Sequence, residues 1–245
     1  MIFRKQIHAL VWAYRHVSGR LKVPELSIIE SFLSPESICF DVGAHGGSWS
    51  RALARHASQR RVYAFEALPY YADVLKMTMK LVGQGNLTIL NRAVSETDGV
   101  VRMTRRDRKG NLLTGKTHVA SREENSQDSV SVPAVSLDSF WREIGEKQVD
   151  FIKCDVEGFE LFILRGTRYL IERCRPVFYN ELNLEWCKRY DYLPKDIFHL
   201  FEGYGYTPFY IEPGEGLIPV NTETHVNRDV LFVPKERPIP KQMLA

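Results

Sequence analysis

From residue 37 onward, short apolar runs alternate with segments whose apolar residues recur at helical spacing. Residues 37–42 (SICFDV), 61–65 (RVYAF), 86–90 (NLTIL), 149–154 (VDFIKC) and 176–179 (PVFY) read as strands. After the first run comes a glycine turn, then a helical face of Trp49, Ala52, Leu53 and His56. Pro69 opens a helix carrying Val74, Leu75, Thr78 and Leu81, and a single helix with Leu161, Phe162, Leu164 and Leu170 is predicted between the last two runs. Strands in alternation with helices demand crossover connections, hence a mostly parallel sheet covered on both faces. The ending differs. Residues 206–211 (YTPFYI) and 229–233 (DVLFV) are joined without a helical pattern, which predicts a hairpin-like pair and an antiparallel last strand. His199, beside Phe198 and Phe201, reads as a packed histidine of the core.

The interval 99–137 breaks the rhythm. Residues 100–104 and 130–135 alternate enough to be strands, and between them lie a Lys109-Gly110-Asn111 turn and the polar stretch 121–129. Such an insertion reads as a lid or a flexible loop. Residues 1–34 read as a helical arm, 35–236 as the domain and 237–245 as an extended tail. The arm has an apolar stripe (Ile2, Phe3, Ile7, Leu10, Val11, Tyr14, Val17) and the basic residues Arg4, Lys5, Arg15 and Arg20. It can lie weakly on a membrane surface, or pack on its own domain or on a second copy in a homo-oligomer; packing is the commoner use of such a helix. No run approaches the roughly 18 apolar residues of a membrane span.

With 245 residues, 44% hydrophobic and 26% charged, the chain falls outside the disordered and fibrous classes. A formal net charge of +3 does not by itself announce a nucleic-acid or membrane partner. Cys39, Cys154, Cys174 and Cys187 form no CxxC pair, which points away from a zinc site and toward a reducing, cytoplasmic setting.

In an open parallel sheet, ligands bind beyond the carboxyl ends of the strands. Here those ends read Asp41-Val-Gly43-Ala44-His45-Gly46-Gly47, Glu66-Ala67, Asn91-Arg92-Ala93, Asp155-Val-Glu157-Gly158 and Asn180-Glu181. A carboxylate beside the glycine turn would repel a dinucleotide's pyrophosphate but attract the sulfonium and ammonium groups of S-adenosylmethionine. Gly43 would admit the ligand to the backbone, and Gly47 would allow close helix packing. Glu66, 23 positions beyond Gly43, suits the hydroxyls of an adenosine ribose, and Ala93 leaves room for a ring. With a period of two, Lys153, Asp155 and Glu157 share a face for as long as the strand persists. Three charges at a buried sheet edge call for a ligand or an ion-paired network.

The segments DVGAHGG, AFEALP, VSLDSF and above all DFIKCDVEGFELFILRG resemble the FkbM family of S-adenosylmethionine-dependent methyltransferases, over roughly residues 38–233. The resemblance implies a class I methyltransferase fold: a Rossmann-like, doubly wound α/β sheet of seven strands with the last antiparallel. It implies O-methyl transfer to a sugar, glycan or other small molecule. It places Asp41, Gly43, Ala44, His45, Gly47, Glu66, Ala67, Ala93 and Asp155 on the cofactor side. The turn departs from the family by carrying His45-Gly46, where asparagine and an aliphatic residue are usual.

A hydroxyl acceptor needs help in losing its proton. Asp155, Glu157 and Glu181 are the candidate groups, with Lys153 offsetting the cost of keeping them ionised. No dedicated metal site is predicted, although the same acids offer oxygens that suit Mg²⁺. Three rival readings are weaker. A nicotinamide oxidoreductase conflicts with Asp41 and with the missing G-x-G-x-x-G. A nucleic-acid methyltransferase would use Arg102, Arg105, Arg106, Arg108 and Lys109, but DVEG replaces the motif expected of enzymes that modify base amino groups. A non-catalytic cofactor-binding module is the third. Trp186, Tyr190 and Tyr192 suit either a sugar platform or packing.

Overall fold

Each of the five strand-forming runs contains or overlaps a strand of four residues. A computed structural model describes residues 2–104, 117–120, 129–212, 214–222 and 227–244. In chain order these form α1 (Ile2–Val17), α2 (Leu26–Ile29), β1 (Cys39–Val42), α3 (Ser48–His56), β2 (Val62–Phe65), α4 (Pro69–Leu81), β3 (Leu87–Leu90), β4 (Ala93–Val94), β5 (Gly99–Thr104) and β6 (Ser129–Val135). There follow α5 (Leu137–Glu143), β7 (Phe151–Cys154), α6 (Glu160–Arg165), α7 (Arg168–Cys174), β8 (Val177–Asn180), α8 (Leu184–Lys188), α9 (Pro194–Gly203), β9 (Tyr206–Glu212), β10 (Gly216–Pro219) and β11 (Val230–Pro234).

Among the described residues the main sheet runs β10-β9-β11-β8-β7-β1-β2-β3. From β3 to β8 the neighbours are parallel, and β11 enters antiparallel to both β8 and β9. The sheet therefore has eight strands where seven were expected. The extra one, β10, folds back on β9 in the stretch that carried no helical pattern. The chain steps outward from β1 to β3, then resumes at β7 on the other side of β1. The crevice for a ligand therefore opens at the carboxyl ends of β1 and β7.

Residues of alternating parity feed two cores. Phe40, Val42, Ile152, Cys154 and Phe178 pack with Phe140, Leu164, Leu170 and Phe201 on one face. Cys39, Phe151, Val177 and Tyr179 pack with Leu53 and Ile29 on the other. Each fully buried aromatic contributes about 1.5–3 kcal/mol relative to an exposed one. All four cysteines are buried free thiols.

Three expectations need correction. The single helix expected over Leu161 to Leu170 is two, broken at Gly166, where backbone carbonyls of Ser95 and Glu96 leave no room for a Cβ. Asp138, from the VSLDSF segment, caps the second of these: its carboxylate accepts the N–H of Leu170 at 2.9 Å and of Tyr169 at 3.1 Å. His199 is exposed on α9, not packed in the core. The proline-rich tail is not wholly extended, since residues 241–243 turn once and Leu244 bridges to Leu217.

Within 99–137, β5 and β6 pair antiparallel, and with β4 they build a small second sheet. Residues 118–120 continue it, with Thr104 N–H donating to the His118 carbonyl and Ala120 N–H to that of Arg102. The turn at 109–111, the polar stretch 121–128 and Arg105, Arg106, Arg108 and Lys109 lie outside the described residues.

The N-terminal helix packs on α4, but with the face opposite to its apolar stripe. Ala9 and His16 are buried there, and Lys5 pairs with Asp73 at 2.6 Å. One His16 ring nitrogen lies 2.9 Å from the Gly46 carbonyl, and a Cβ on Gly46 would run into the Trp12 ring. Among the described residues no helix is long and apolar enough to cross a membrane.

Candidate active site

Three left-handed residues, Gly43 (φ 82), His45 (φ 44) and Gly47 (φ 78), curl the chain back after β1. The amides of Gly43 and Ala44 donate to the Phe65 carbonyl at 3.1 and 3.0 Å, which ties this turn to the end of β2. Glu66 completes the tie: its carboxylate accepts the His45 N–H and the Leu68 N–H, each at 2.9 Å. Burial pushes its pKa up to about 7, against the pull of those two donors. Asn91, at the end of β3, donates to the Glu66 and Ala67 carbonyls at 2.9 and 2.8 Å. These two bonds tie the end of β3 to the backbone of Glu66 and Ala67.

Beyond β7 the chain leaves the strand at Cys154, so Asp155 and Glu157 sit on a loop and no longer obey strand parity. Glu157 is left-handed (φ 58), and buried Glu160 closes the loop by accepting the Val156 N–H at 3.0 Å and the Gly158 N–H at 3.3 Å. The Tyr192 hydroxyl donates to the Gly158 carbonyl at 2.8 Å. The Tyr190 hydroxyl donates to the Val119 carbonyl at 2.6 Å. The Trp186 ring faces His118 and lies under the Arg189 guanidinium.

A cavity of about 260 Å³ occupies the crevice. Gly43, His45, Glu66, Ala67 and Ala93 line one side; Asp155, Glu157 and Glu181 line the other. Met103 and Val119 from the small sheet supply part of the wall, with Arg92, Tyr71 and Phe159. Sequence reasoning gave no weight to Tyr71 or Met103, because neither follows a strand of the main sheet.

Four of the named residues do not reach the cavity. Asp41 is fully buried behind the turn, with Ser50 of α3 donating to Oδ2 at 2.5 Å and Lys153 lying 3.7 Å from Oδ1. Burial raises the Asp41 pKa, opposed by Lys153 and Ser50. Ala44 packs with Leu75 and Met79, and a Cβ on Gly47 would strike those same two side chains. Lys153 is the fourth. Its register partner across β1 is Asp41, and its ammonium spans to Asp155 Oδ2 at 3.1 Å while donating to the Gly43 carbonyl at 3.2 Å. Burial alone would lower the lysine pKa; Asp155 and Asp41 more than offset it and hold the group charged.

Asp155 and Glu181 differ in charge state. Burial acts to raise the Asp155 pKa, but Lys153 and a hydrogen bond with Glu181 bring it below the usual value. Glu181 moves far the other way, through burial and then the Asp155 charge, so it keeps its proton at neutral pH. Like charges this close separate their titrations, leaving one carboxylate and one carboxylic acid. One oxygen each from Asp155, Glu157 and Glu181 fall within 4.8 Å of one another, a spacing at which oxygen ligands can share a cation.

The sheet order, the antiparallel β11 and a crevice bounded by the ends of β1, β2 and β7 define a class I methyltransferase fold. Residues 41–208 match the Methyltransferase FkbM domain, and the chain belongs to that family. Among solved structures it is similar to Methyltransferase FkbM from Methylobacillus flagellatus, with 16% identity and a TM-score of 0.52 over 82% of this chain; the match spans 44% of that protein's length. It is also similar to a precorrin-6y C5,15-methyltransferase from Geobacter metallireducens, with 14% identity, 86% and 84% coverage of the two chains and a TM-score of 0.45. No curated protein matches the sequence.

Proposed function

We propose that the protein transfers a methyl group from S-adenosylmethionine to a hydroxyl of a sugar, glycan or other small molecule. The observation that carries this reading is one cavity lined by Glu66, the glycine turn and the acids Asp155, Glu157 and Glu181, with the buried Lys153 ammonium 3.1 Å from Asp155 Oδ2.

The residues present suit that cofactor. Each Glu66 oxygen accepts one backbone N–H and keeps a lone pair that a ribose hydroxyl can use. Ala67 and Ala93 present small side chains on the cavity wall, where an adenine ring can lie. A cationic sulfonium and ammonium gain from facing Asp155, whereas a pyrophosphate would be repelled by the same acids. When bound, the cofactor would supply an electrophilic methyl group, the S–CH3 bond breaking as the C–O bond forms and S-adenosylhomocysteine leaving.

The chain's own contribution is positioning and proton handling. Asp155 accepts the hydrogen bond of the acceptor hydroxyl and takes its proton as the new C–O bond forms. Glu181 donates to the same carboxylate and holds its orientation. Glu157 offers a second acceptor for a neighbouring hydroxyl of the substrate. Lys153 never touches substrate; it acts through Asp155 and supplies the positive charge that a divalent ion would otherwise bring.

Two measurements test the reading. Titration calorimetry should detect S-adenosylhomocysteine binding and no NAD binding. A mass-spectrometric screen of glycans and metabolites should find an acceptor that gains one methyl group. With that acceptor, Asp155→Asn should lower turnover by about 10²–10⁴-fold, while Glu181→Gln, which mimics the protonated acid, keeps most of it. Full turnover in Asp155→Asn, or no cofactor binding at millimolar concentration, overturns the proposal.

A further inference from the structure

The solvent side of α1 is the most apolar surface among the described residues. Ten large apolar side chains are exposed, and six of them are Phe3, Ile7, Leu10, Val11, Tyr14 and Val17. Their exposures run from 43% at Val11 to 74% at Phe3. At 100° per residue these six fall within one stripe about 120° wide. The opposite side of the same helix is already occupied, with Ala9, Trp12 and His16 packed on α4 and on the turn at Gly46. The stripe is therefore not a core face waiting for its own domain.

Charge distinguishes the possible occupants. No Asp or Glu precedes Glu25, while Arg4, Lys5, Arg15, Arg20 and Lys22 give residues 1–24 a formal charge of +5. Those five come from a total of 33 Lys and Arg, so the remaining residues hold 28 against 30 acids and are net −2. Residues 1–24, which carry the exposed apolar stripe, are thus net positive, as is the separate basic run 102–116, while the chain beyond residue 24 taken together is net negative. Lys5 is paired with Asp73, but Arg4 and Arg15 are exposed along one border of the stripe, and Arg20 and Lys22 just beyond its end. Pairing this helix with the same helix of a second copy would bring arginine toward arginine with no acid between them. An anionic surface meets both features at once: it offers an apolar interior for the stripe and negative charge for its border.

We propose that α1 docks the protein on an anionic lipid bilayer, its stripe entering the interface and Arg4, Arg15, Arg20 and Lys22 meeting the headgroups. The helix is too polar on its packed side to insert across the bilayer, so the attachment is peripheral and reversible. The proposal stands independently of the methyl-transfer reading, since it uses none of the residues that line the cavity.

Co-sedimentation of the full chain with vesicles tests it. Phosphatidylcholine vesicles containing about one-quarter phosphatidylglycerol should bind the protein about tenfold or more tightly than pure phosphatidylcholine, and added salt should erase the difference. The Ile7→Ser/Leu10→Ser variant removes two exposed side chains and no core contact, so it should keep the wild-type circular dichroism and lose the binding. Arg4→Glu/Arg15→Glu should lose it as well. Failure to bind the anionic vesicles, equal binding to both compositions, or unchanged binding by the serine variant overturns the proposal. So does a dimer seen by light scattering that the serine variant splits, which would assign the stripe to a second copy.

Discussion

The backbone of Gly43 lies against the carbonyl of Asp155 so closely that a Cβ at position 43 would overlap the carbonyl oxygen. The two chain segments that frame the cavity are thus in direct contact, and the glycine serves this contact before it serves any ligand. Gly43→Ala adds a second cost, because φ is 82 at this position and the left-handed region disfavours a side chain by about 1–2 kcal/mol. Urea denaturation should show a loss larger than that figure alone. Calorimetry should show S-adenosylhomocysteine binding abolished.

Lys153 pairs with two carboxylates from one buried position. Lys153→Met leaves Asp41 buried beside no cation, and uncovering a buried ion pair in this way typically costs about 3–5 kcal/mol. The variant should be poorly folded at neutral pH and should recover stability as the pH falls toward the range where Asp41 takes up a proton. A melting curve that matches wild type at pH 7 would contradict the assignment.

Glu66 and Glu160 are both buried acids with pKa values raised from 4.5 to about 7. In each case the folded state binds the proton more tightly than the unfolded chain does. Their stabilising contribution is complete below pH 4.5 and is lost as the pH rises through about 7. Glu160→Gln should flatten this fall in a pH series of denaturation midpoints. Cofactor binding should run the other way, strengthening through pH 7 as Glu66 ionises, and Glu66→Gln should remove that dependence.

Asp138 accepts two amides at the start of α7 and faces no part of the cavity. Asp138→Ala should cost about 1–2 kcal/mol of stability, as for other lost helix caps. Affinity for S-adenosylhomocysteine should be unchanged. The VSLDSF segment would then be a fold determinant, which thermal melts and calorimetry on one sample can decide.

The strand ends were legible because a polar residue following an apolar run marks the rim of a buried sheet; Gly43, Glu66, Asp155 and Glu181 meet around one cavity on that ground alone. Asp41 shows where such reading stops. It also ends an apolar run, yet it points behind the turn, toward Ser50 and Lys153. That orientation follows from the register Asp41 to Lys153 across two strands about 110 residues apart, which no local pattern encodes. The break at Gly166 was hidden for a similar reason, since the carbonyls that crowd it belong to Ser95 and Glu96. The stripe on α1 was visible, but its direction was not: apolar spacing tells which residues share a side, and the neighbouring elements decide which side turns inward.

The N-terminal helix is a sixteen-residue rod with two unlike flanks. Trp12 projects from the inner flank and meets the imidazole of His45 edge-on, with ring centres 5.5 Å apart. His45 in turn belongs to the wall of the cavity. Rod and chamber therefore touch at several points, Trp12 on His45, His8 beside Tyr71 and His16 at the Gly46 carbonyl, so a tilt or roll imposed from outside bears directly on the chamber's wall and on the loop behind it.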